Sequence, residues 1–327
     1  MPSRDLPPYP VLQQAAEWFA QLADHNVTPE EQREWQTWFD QDPQHQQAWL
    51  YVEQVGHRFF QAKQQAGGEG ANRILEQTRN RRISRRKVLG SGLAGVGAWL
   101  TWRYTPIPEA TRQLALSLGA DYSTATGEQR QISLLDGGQL WLNTASAVDV
   151  IYNDQLRNIQ LQRGEILIET ATDSHNRPFV VTTQEGRLRA LGTRFSVYQG
   201  DGQTQIAVYQ GAVEIRTAGG PGLVLKAGEK TTFTRHHIDP PGKANTAQVA
   251  WQHGLIIADA IPLKTLVTEL SRYRHGYLAV DPTIANLNVI GTYPIDKPDH
   301  ALAMLESALP IQVTRHLPWW VTLQPKP

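Results

Sequence analysis

Apolar residues return every three or four positions through the first part of the chain. Ala15, Trp18, Phe19 and Leu22 share one helical face. Thr28-Pro29-Glu30-Glu31 is a helix start, with Thr as N-cap, Pro at the first helical position and Glu in the first turn. The helix it opens presents Trp35, Trp38 and Phe39. Asp42-Pro43 stops and restarts the chain, and Ala48, Trp49, Val52 and Val55 line a third helix. A Gly-rich break follows at residues 67–70. The pattern predicts a small all-α bundle over residues 1–80. A unit of this size has limited core area. Its aromatic face is therefore expected to serve as core and contact surface together, and each single tryptophan is accounted for at least as well as core.

From about residue 110 to 245 the period changes from 3.6 to 2. Short alternating runs are separated by turn signals, which predicts an all-β domain. Asp136-Gly137-Gly138 is a hairpin turn between Ile132–Leu135 and Leu140–Leu142. Asn153-Asp154 separates Val148–Tyr152 from Ile159–Leu161. Arg163-Gly164-Glu165 leads into a further strand, Ile166–Ile168, and Arg177-Pro178 into Phe179–Thr182. Gln210-Gly211 lies between Ile206–Val208 and Val213–Ile215. Over residues 250–327 strand and helix periods alternate: a strand at Leu255–Ala258, a helix at Pro262–Tyr273, strands at Tyr277–Val280 and Leu287–Tyr293, a helix capped by Asp299, and strands at Ile311–Arg315 and Trp320–Leu323. That order predicts a compact α+β unit with a small mixed sheet.

One run fits none of these regions. Arg79, Arg81, Arg82, Arg85, Arg86 and Lys87 precede Val88–Trp102, an almost uninterrupted apolar stretch. Basic residues on one flank of an apolar segment set its orientation in a membrane, with the basic side in the cytoplasm. The run supplies roughly 15 residues where a span needs about 20, and it is rich in Gly and Ala. Ser84-Arg85-Arg86-Lys87-Val88-Leu89 resembles a twin-arginine export signal. Residues 81–103 are thus expected to form an export signal and an uncleaved single membrane anchor. The N-terminus would be cytoplasmic and the C-terminus periplasmic, in an inner membrane. Cleavage after Ala98 would discard the helical region, and a buried Gly/Ala-rich helix would leave the basic cluster opposing the helix dipole.

Composition narrows the chemistry. The 327 residues carry no net charge, so nothing global points to nucleic acid. There is no cysteine, which excludes disulfides, thiolate metal sites and a cysteine nucleophile. The ten tryptophans concentrate at Trp18–Trp49 and Trp319-Trp320. His236-His237 with Asp239 lacks an ordered ligand set, so no metal or cofactor is expected. Asp149, Asp154, Glu165 and Glu169 are read as solvent-facing members of alternating strands rather than a hydrolase pair. Gly192-Thr193 has chemical potential: a threonine hydroxyl can attack the carbonyl before it where glycine permits a strained backbone. The competing reading is an ordinary strand bulge.

Several motifs stand in the order found in one family. They are Glu34-Trp35-Gln36-Thr37-Trp38-Phe39, Asp42-Pro43 and Ala48-Trp49 in the first region. In the β region they are Thr126-Gly127-Glu128-Gln129-Arg130, Leu135-Asp136-Gly137-Gly138, Leu142-Asn143, Gly164-Glu165, Arg177-Pro178-Phe179-Val180-Val181, Leu191-Gly192-Thr193-Arg194-Phe195 and Gly211-Ala212-Val213. The chain resembles the FecR-type anti-sigma regulators of cell-surface signalling over nearly its whole length, with Gly138 standing where the family more often has Ser. The resemblance implies a multidomain regulator: an anti-sigma bundle at 1–80, a β domain of sandwich or solenoid type at 110–245, and at 250–327 a unit similar to the short N-terminal domain of secretins and TonB-dependent receptors. It implies an extracytoplasmic-function sigma factor as partner, with Trp18, Trp35, Trp38, Phe39 and Trp49 as candidate contacts. It implies, too, a signal from a TonB-dependent outer-membrane transducer, often for an iron chelate, and release by site proteases. Some relatives cleave themselves at a matching Gly-Thr. No direct nucleic-acid contact and no multiple-turnover activity is implied. The alternative from the residues alone is an exported saccharide-binding protein or hydrolase built on the β domain.

Overall fold

The computed structural model of the protein describes residues 7–22, 28–66 and 119–326. The Gly-rich break at 67–70, Arg85, Arg86 and the apolar run 88–102 lie outside the described residues. Among the described residues no helix is long and apolar enough to cross a membrane.

The first region forms three helices, α1 (Tyr9–Leu22), α2 (Pro29–Gln41) and α3 (Pro43–Ala66). The helix start at Thr28 closes a capping box. The Glu31 amide donates to Thr28 Oγ1 at 3.2 Å, and the Thr28 amide donates to Glu31 Oε2 at 2.7 Å. Such a cap contributes about 1 kcal/mol by satisfying amides that a helix end leaves open. Leu12, Ala15 and Ala16 of α1 and Ala48, Val52 and Val55 of α3 are buried, whereas α2 has no fully buried residue among those described.

The β domain has thirteen strands: β1 (Tyr122–Ser123), β2 (Arg130–Ser133), β3 (Gln139–Leu142), β4 (Ala147–Tyr152), β5 (Arg157–Glu169), β6 (Phe179–Thr182), β7 (Gly186–Ala190), β8 (Arg194–Gly200), β9 (Gln203–Gln210), β10 (Ala212–Thr217), β11 (Gly222–Lys226), β12 (Glu229–Phe233) and β13 (Gly242–Lys243). The long strand β5 organises them. Its first half pairs with β4 and β6, and its second half with β3 and β8. One layer therefore runs β11-β10-β7-β6-β5 and the other β5-β8-β9-β12-β13. Ile159, Leu161, Phe179, Val181 and Leu188 of the first meet Leu140, Ile166, Ile168, Phe195, Val197 and Val208 of the second in one buried core. The domain is a sandwich, which decides against a solenoid.

Sequence reading divides β5 into two strands at Arg163-Gly164-Glu165. The structure keeps it as one strand with a bulge. The register shifts opposite Ala147 and Val148, and Gly164 adopts φ +84°. A Cβ at Gly164 would run into Ser146, so glycine is required there for space as well as conformation. The inserted residue changes the parity of the inward face, from the odd positions 159 and 161 to the even positions 166 and 168. Leu167 consequently points out of the sandwich.

A 3-10 helix (Thr246–His253) leads into the last unit: β14 (Leu255–Pro262), α4 (Leu263–Ser271), β15 (Tyr277–Val280), β16 (Asn288–Pro294), α5 (Pro298–Ala308), β17 (Ile311–Leu317) and β18 (Trp320–Pro325). The expected single mixed sheet is two sheets. β14 pairs with β16, and β18 lies between a parallel β15 and an antiparallel β17. Leu263, Leu266 and Leu270 of α4 and Leu302 and Leu305 of α5 fill the space between. Asp299 does not cap α5. The N-cap is Lys297, because Pro298 with its fixed φ takes the first helical position, and Asp299 falls inside the first turn. There it pairs with Arg315 at 3.4 Å.

Candidate functional site

Trp18, Trp35, Trp38, Phe39 and Trp49 are all half-buried. The ring of Trp35 lies 4.9 Å from Trp49 and 5.3 Å from Phe39. Trp38 stacks on His45 at 4.5 Å, and its indole N–H donates to Gln14 Oε1 at 3.1 Å. Trp35 Nε1 is buried without a hydrogen-bond partner. Among the described residues no ring contact joins Trp18 to this group. Phe19, absent from the expected contact set, extends the cluster: it lies 5.6 Å from Trp49 and 5.5 Å, edge-on, from Trp319. The two tryptophan-rich stretches of the sequence thus meet.

Gly192-Thr193 is not a bulge within a strand. It forms the corner where the chain leaves β7 in one layer for β8 in the other. Gly192 adopts φ +74°, and Gly211 packs so closely on the Gly192 carbonyl that a side chain there would collide with it. Thr170 holds the backbone of Thr193 from both sides. Its amide donates to the Thr193 carbonyl at 3.0 Å, and its hydroxyl accepts from the Thr193 amide at 2.9 Å. Thr193 is 4% exposed, and its own hydroxyl has no hydrogen-bond partner. A buried hydroxyl without a partner is unusual, because it forfeits hydration for nothing. It leaves the lone pairs of that oxygen uncommitted.

Glu165 is not solvent-facing. Its carboxylate accepts from Asn143 Nδ2 at 2.9 Å, Trp251 Nε1 at 3.2 Å and Arg272 Nη2 at 2.5 Å. Asn143 also donates to the Tyr273 hydroxyl at 2.8 Å, and Arg272 lies 5.2 Å from the Tyr198 ring centre. Burial opposes the charge on Arg272, but Glu165 and Glu269 outweigh it and hold the guanidinium above its ordinary range. Burial likewise pushes the Tyr273 hydroxyl well above its usual value. Leu167, Val249, Trp251, Tyr273 and Ile295 surround the network with apolar contacts. The network joins the β domain to the α+β unit. Its one sequence trace is the change of parity across Gly164.

The remaining candidates stay apart. Asp149 accepts from the Asp121 amide and from Gln162, and Glu169 lies 4.0 Å from Arg194. Asp154 is exposed. His237 Nε2 lies 3.3 Å from Asp239 Oδ1, both largely exposed. A shallow groove of about 310 Å³ on the outer face of β6, β7 and β10 carries Arg187, Arg189 and Arg216. Its one carboxylate, Glu214, is ion-paired to Arg216 at 2.8 Å.

Residues 120–214 match the FecR protein family, and residues 13–55 match a domain of unknown function, DUF4880. Comparison with curated proteins finds no match. Two crystal structures of a candidate anti-sigma factor from Parabacteroides distasonis, at 1.65 and 2.50 Å resolution, share the fold. The first has a TM-score of 0.51 at 21% identity, covering 63% of this chain and 99% of that one. The second has a TM-score of 0.50 at 20% identity, covering 63% and 98%. The β-domain motifs from Thr126 to Val213 all fall inside residues 120–214, the segment of this chain that matches the FecR protein family.

Proposed function

We propose that this protein is a membrane-anchored anti-sigma regulator. Its helical unit holds an extracytoplasmic-function sigma factor away from RNA polymerase. Its far-side domains take a signal from a TonB-dependent outer-membrane transducer, with an iron chelate as the expected class of inducer, and proteolysis releases the sigma factor. The observation that carries this reading is the order of matches in one chain: a DUF4880 segment at 13–55, then a FecR segment at 120–214, with the basic-flanked apolar run between them. The half-buried Trp35, Phe39 and Trp49 cluster supports it, since partly covered aromatics are the usual anchors of an interface. The C-terminal unit is proposed to be similar to the short domain of secretins and TonB-dependent receptors. For a saccharide hydrolase on the β domain, the arginine-lined groove offers one carboxylate where two are needed.

The test is co-purification. The full chain, extracted in mild detergent from its native host, should carry a sigma factor identifiable by mass spectrometry. Trp35→Ala or Trp49→Ala should reduce its recovery while helix content is retained. A preparation that never carries a sigma factor, or variants that unfold whenever recovery falls, would reject the assignment of the aromatic face.

The partnerless hydroxyl of Thr193 favours a second step, a single-turnover self-cleavage. Thr193 Oγ1 would form an ester bond to the Gly192 carbonyl carbon as the Gly192–Thr193 C–N bond breaks, and the hydroxyl proton would pass to the departing amine. Water would then hydrolyse the ester, leaving a Gly192 carboxylate and a free Thr193 amine and hydroxyl.

A further inference from the structure

The aromatic surface of the α+β unit is already occupied. Trp319 and Trp320 sit at the tight connection between β17 and β18, and Tyr277 of β15 stacks on Trp320 at 4.0 Å. Trp319 is 1% exposed and Trp320 fully buried. Much of what covers them belongs to the helical unit. Phe19 of α1 meets Trp319 edge-on at 5.5 Å, and Tyr51 of α3 meets Tyr277 and Trp320 edge-on at 5.9 and 6.4 Å.

Gly56 makes the fit specific. It lies within α3, where glycine costs roughly 1 kcal/mol relative to alanine. A Cβ at that position would stand 2.8 Å from the Trp319 ring, so the glycine opens the space the indole fills. Phe19 also touches Trp49, one of the residues proposed to contact the sigma factor. The clasp and a sigma factor would therefore draw on one continuous aromatic cluster.

We infer that the chain has a closed form, in which its own α+β unit seats α1 and α3 and occupies the helical unit's aromatic cluster, and that insertion across the membrane opens it. The occupant of the Tyr277–Trp319–Trp320 surface before insertion is this helical unit. Once residues 1–80 and 250–327 lie on opposite sides of a bilayer the two faces cannot meet, and each is free for its own partner. Insertion would thus convert a chain inert toward sigma factor into one that binds it. The opening step rests on the topology proposed above, whereas the clasp does not.

The experiment places the photo-crosslinking residue p-benzoylphenylalanine at position 51 of the full chain, made in a translation extract free of membranes. Digestion and mass spectrometry should find residue 51 joined to a peptide carrying Tyr277 or Trp320. Gly56→Leu, which improves helix propensity while wedging α3 off Trp319, should lower that product roughly tenfold or more, as expected for over-packing one tight contact. Should circular dichroism show the Leu variant has lost helix, Tyr277→Ala removes the opposing ring instead and should lower the product likewise. With inner-membrane vesicles present, the inserted fraction should lack the product. Absence of the product in the membrane-free chain, or its persistence in a folded Gly56→Leu chain, overturns the clasp. Its persistence in inserted chains, with both units open to protease on one side, upholds the clasp and overturns the opening step and the topology together.

Discussion

A single hydroxyl separates a structural corner from a reactive one. Thr193 is buried and clamped through its backbone by Thr170, and its Oγ1 has no partner. If that oxygen attacks the Gly192 carbonyl, the β domain should run as two associated fragments, one beginning at Thr193. Thr193→Ala should give only the full-length mass, because it removes the nucleophile and leaves the backbone almost unchanged. Thr193→Ser should retain some cleavage, since β-branching only tunes the aim of the hydroxyl. Intact mass after prolonged incubation decides. One full-length species in the wild type would leave Gly192-Thr193 a structural corner only. The dipeptide itself was legible in the sequence as a glycine beside a nucleophile. Its setting was not, because the tight approach of Gly211 brings together residues nineteen positions apart in the chain.

Among the elements, some local signals are legible in the sequence and others mislead, as Asp299 does beside Pro298. Thr28-Pro29-Glu30-Glu31 named its own helix start, and Asp136-Gly137-Gly138 its own turn. In sequence β5 reads as two strands because a bulge glycine and a turn glycine look alike in one dimension. Only the partner strand distinguishes them. The Glu165–Arg272 pair spans 107 positions, so no window of sequence contains it. The structure makes that pair a weld between the β domain and α4. Breaking it by Arg272→Met should destabilise the protein by about 2–4 kcal/mol, since it strands a mostly buried carboxylate, with some discount because Arg272 keeps a quarter of its side chain exposed. The double change Glu165→Gln with Arg272→Met should cost less than the sum of the single changes. Denaturant midpoints followed by tryptophan fluorescence measure both. Additive effects would show that the two groups do not act as a pair.

At the scale of the whole molecule, the change from helical to strand periodicity is the sequence feature that sets the helical stretch apart from the β strands and from the alternating strands and helices that follow. The contact between the two tryptophan-rich stretches had no sequence signal, because each stretch also reads as the core of its own unit. The proposed membrane orientation rests on the basic cluster before Val88. Reporter fusions at residues 80 and 240 should report cytoplasm and periplasm respectively, and a periplasm-active reporter at 80 would reject that orientation. Arg85→Lys with Arg86→Lys keeps the charge but removes the guanidinium forks. That change should block translocation if the twin-arginine reading is right, and normal translocation would leave an ordinary anchor.

The shared strand gives the corner at Gly192 a mechanical meaning. A backbone cut there would not release either piece, because β8 runs antiparallel along β5, with Gly164–Glu169 opposite Arg194–Gln199, and β10 runs along β7. The load between the two ends of the domain would then pass through hydrogen-bonded ladders and a shared apolar core instead of a covalent chain. Each such bond is worth only about 1 kcal/mol net, so the joint would hold at rest and yield to a sustained pull. The sandwich would serve as a fuse whose breaking load is set by the length of two strand pairings.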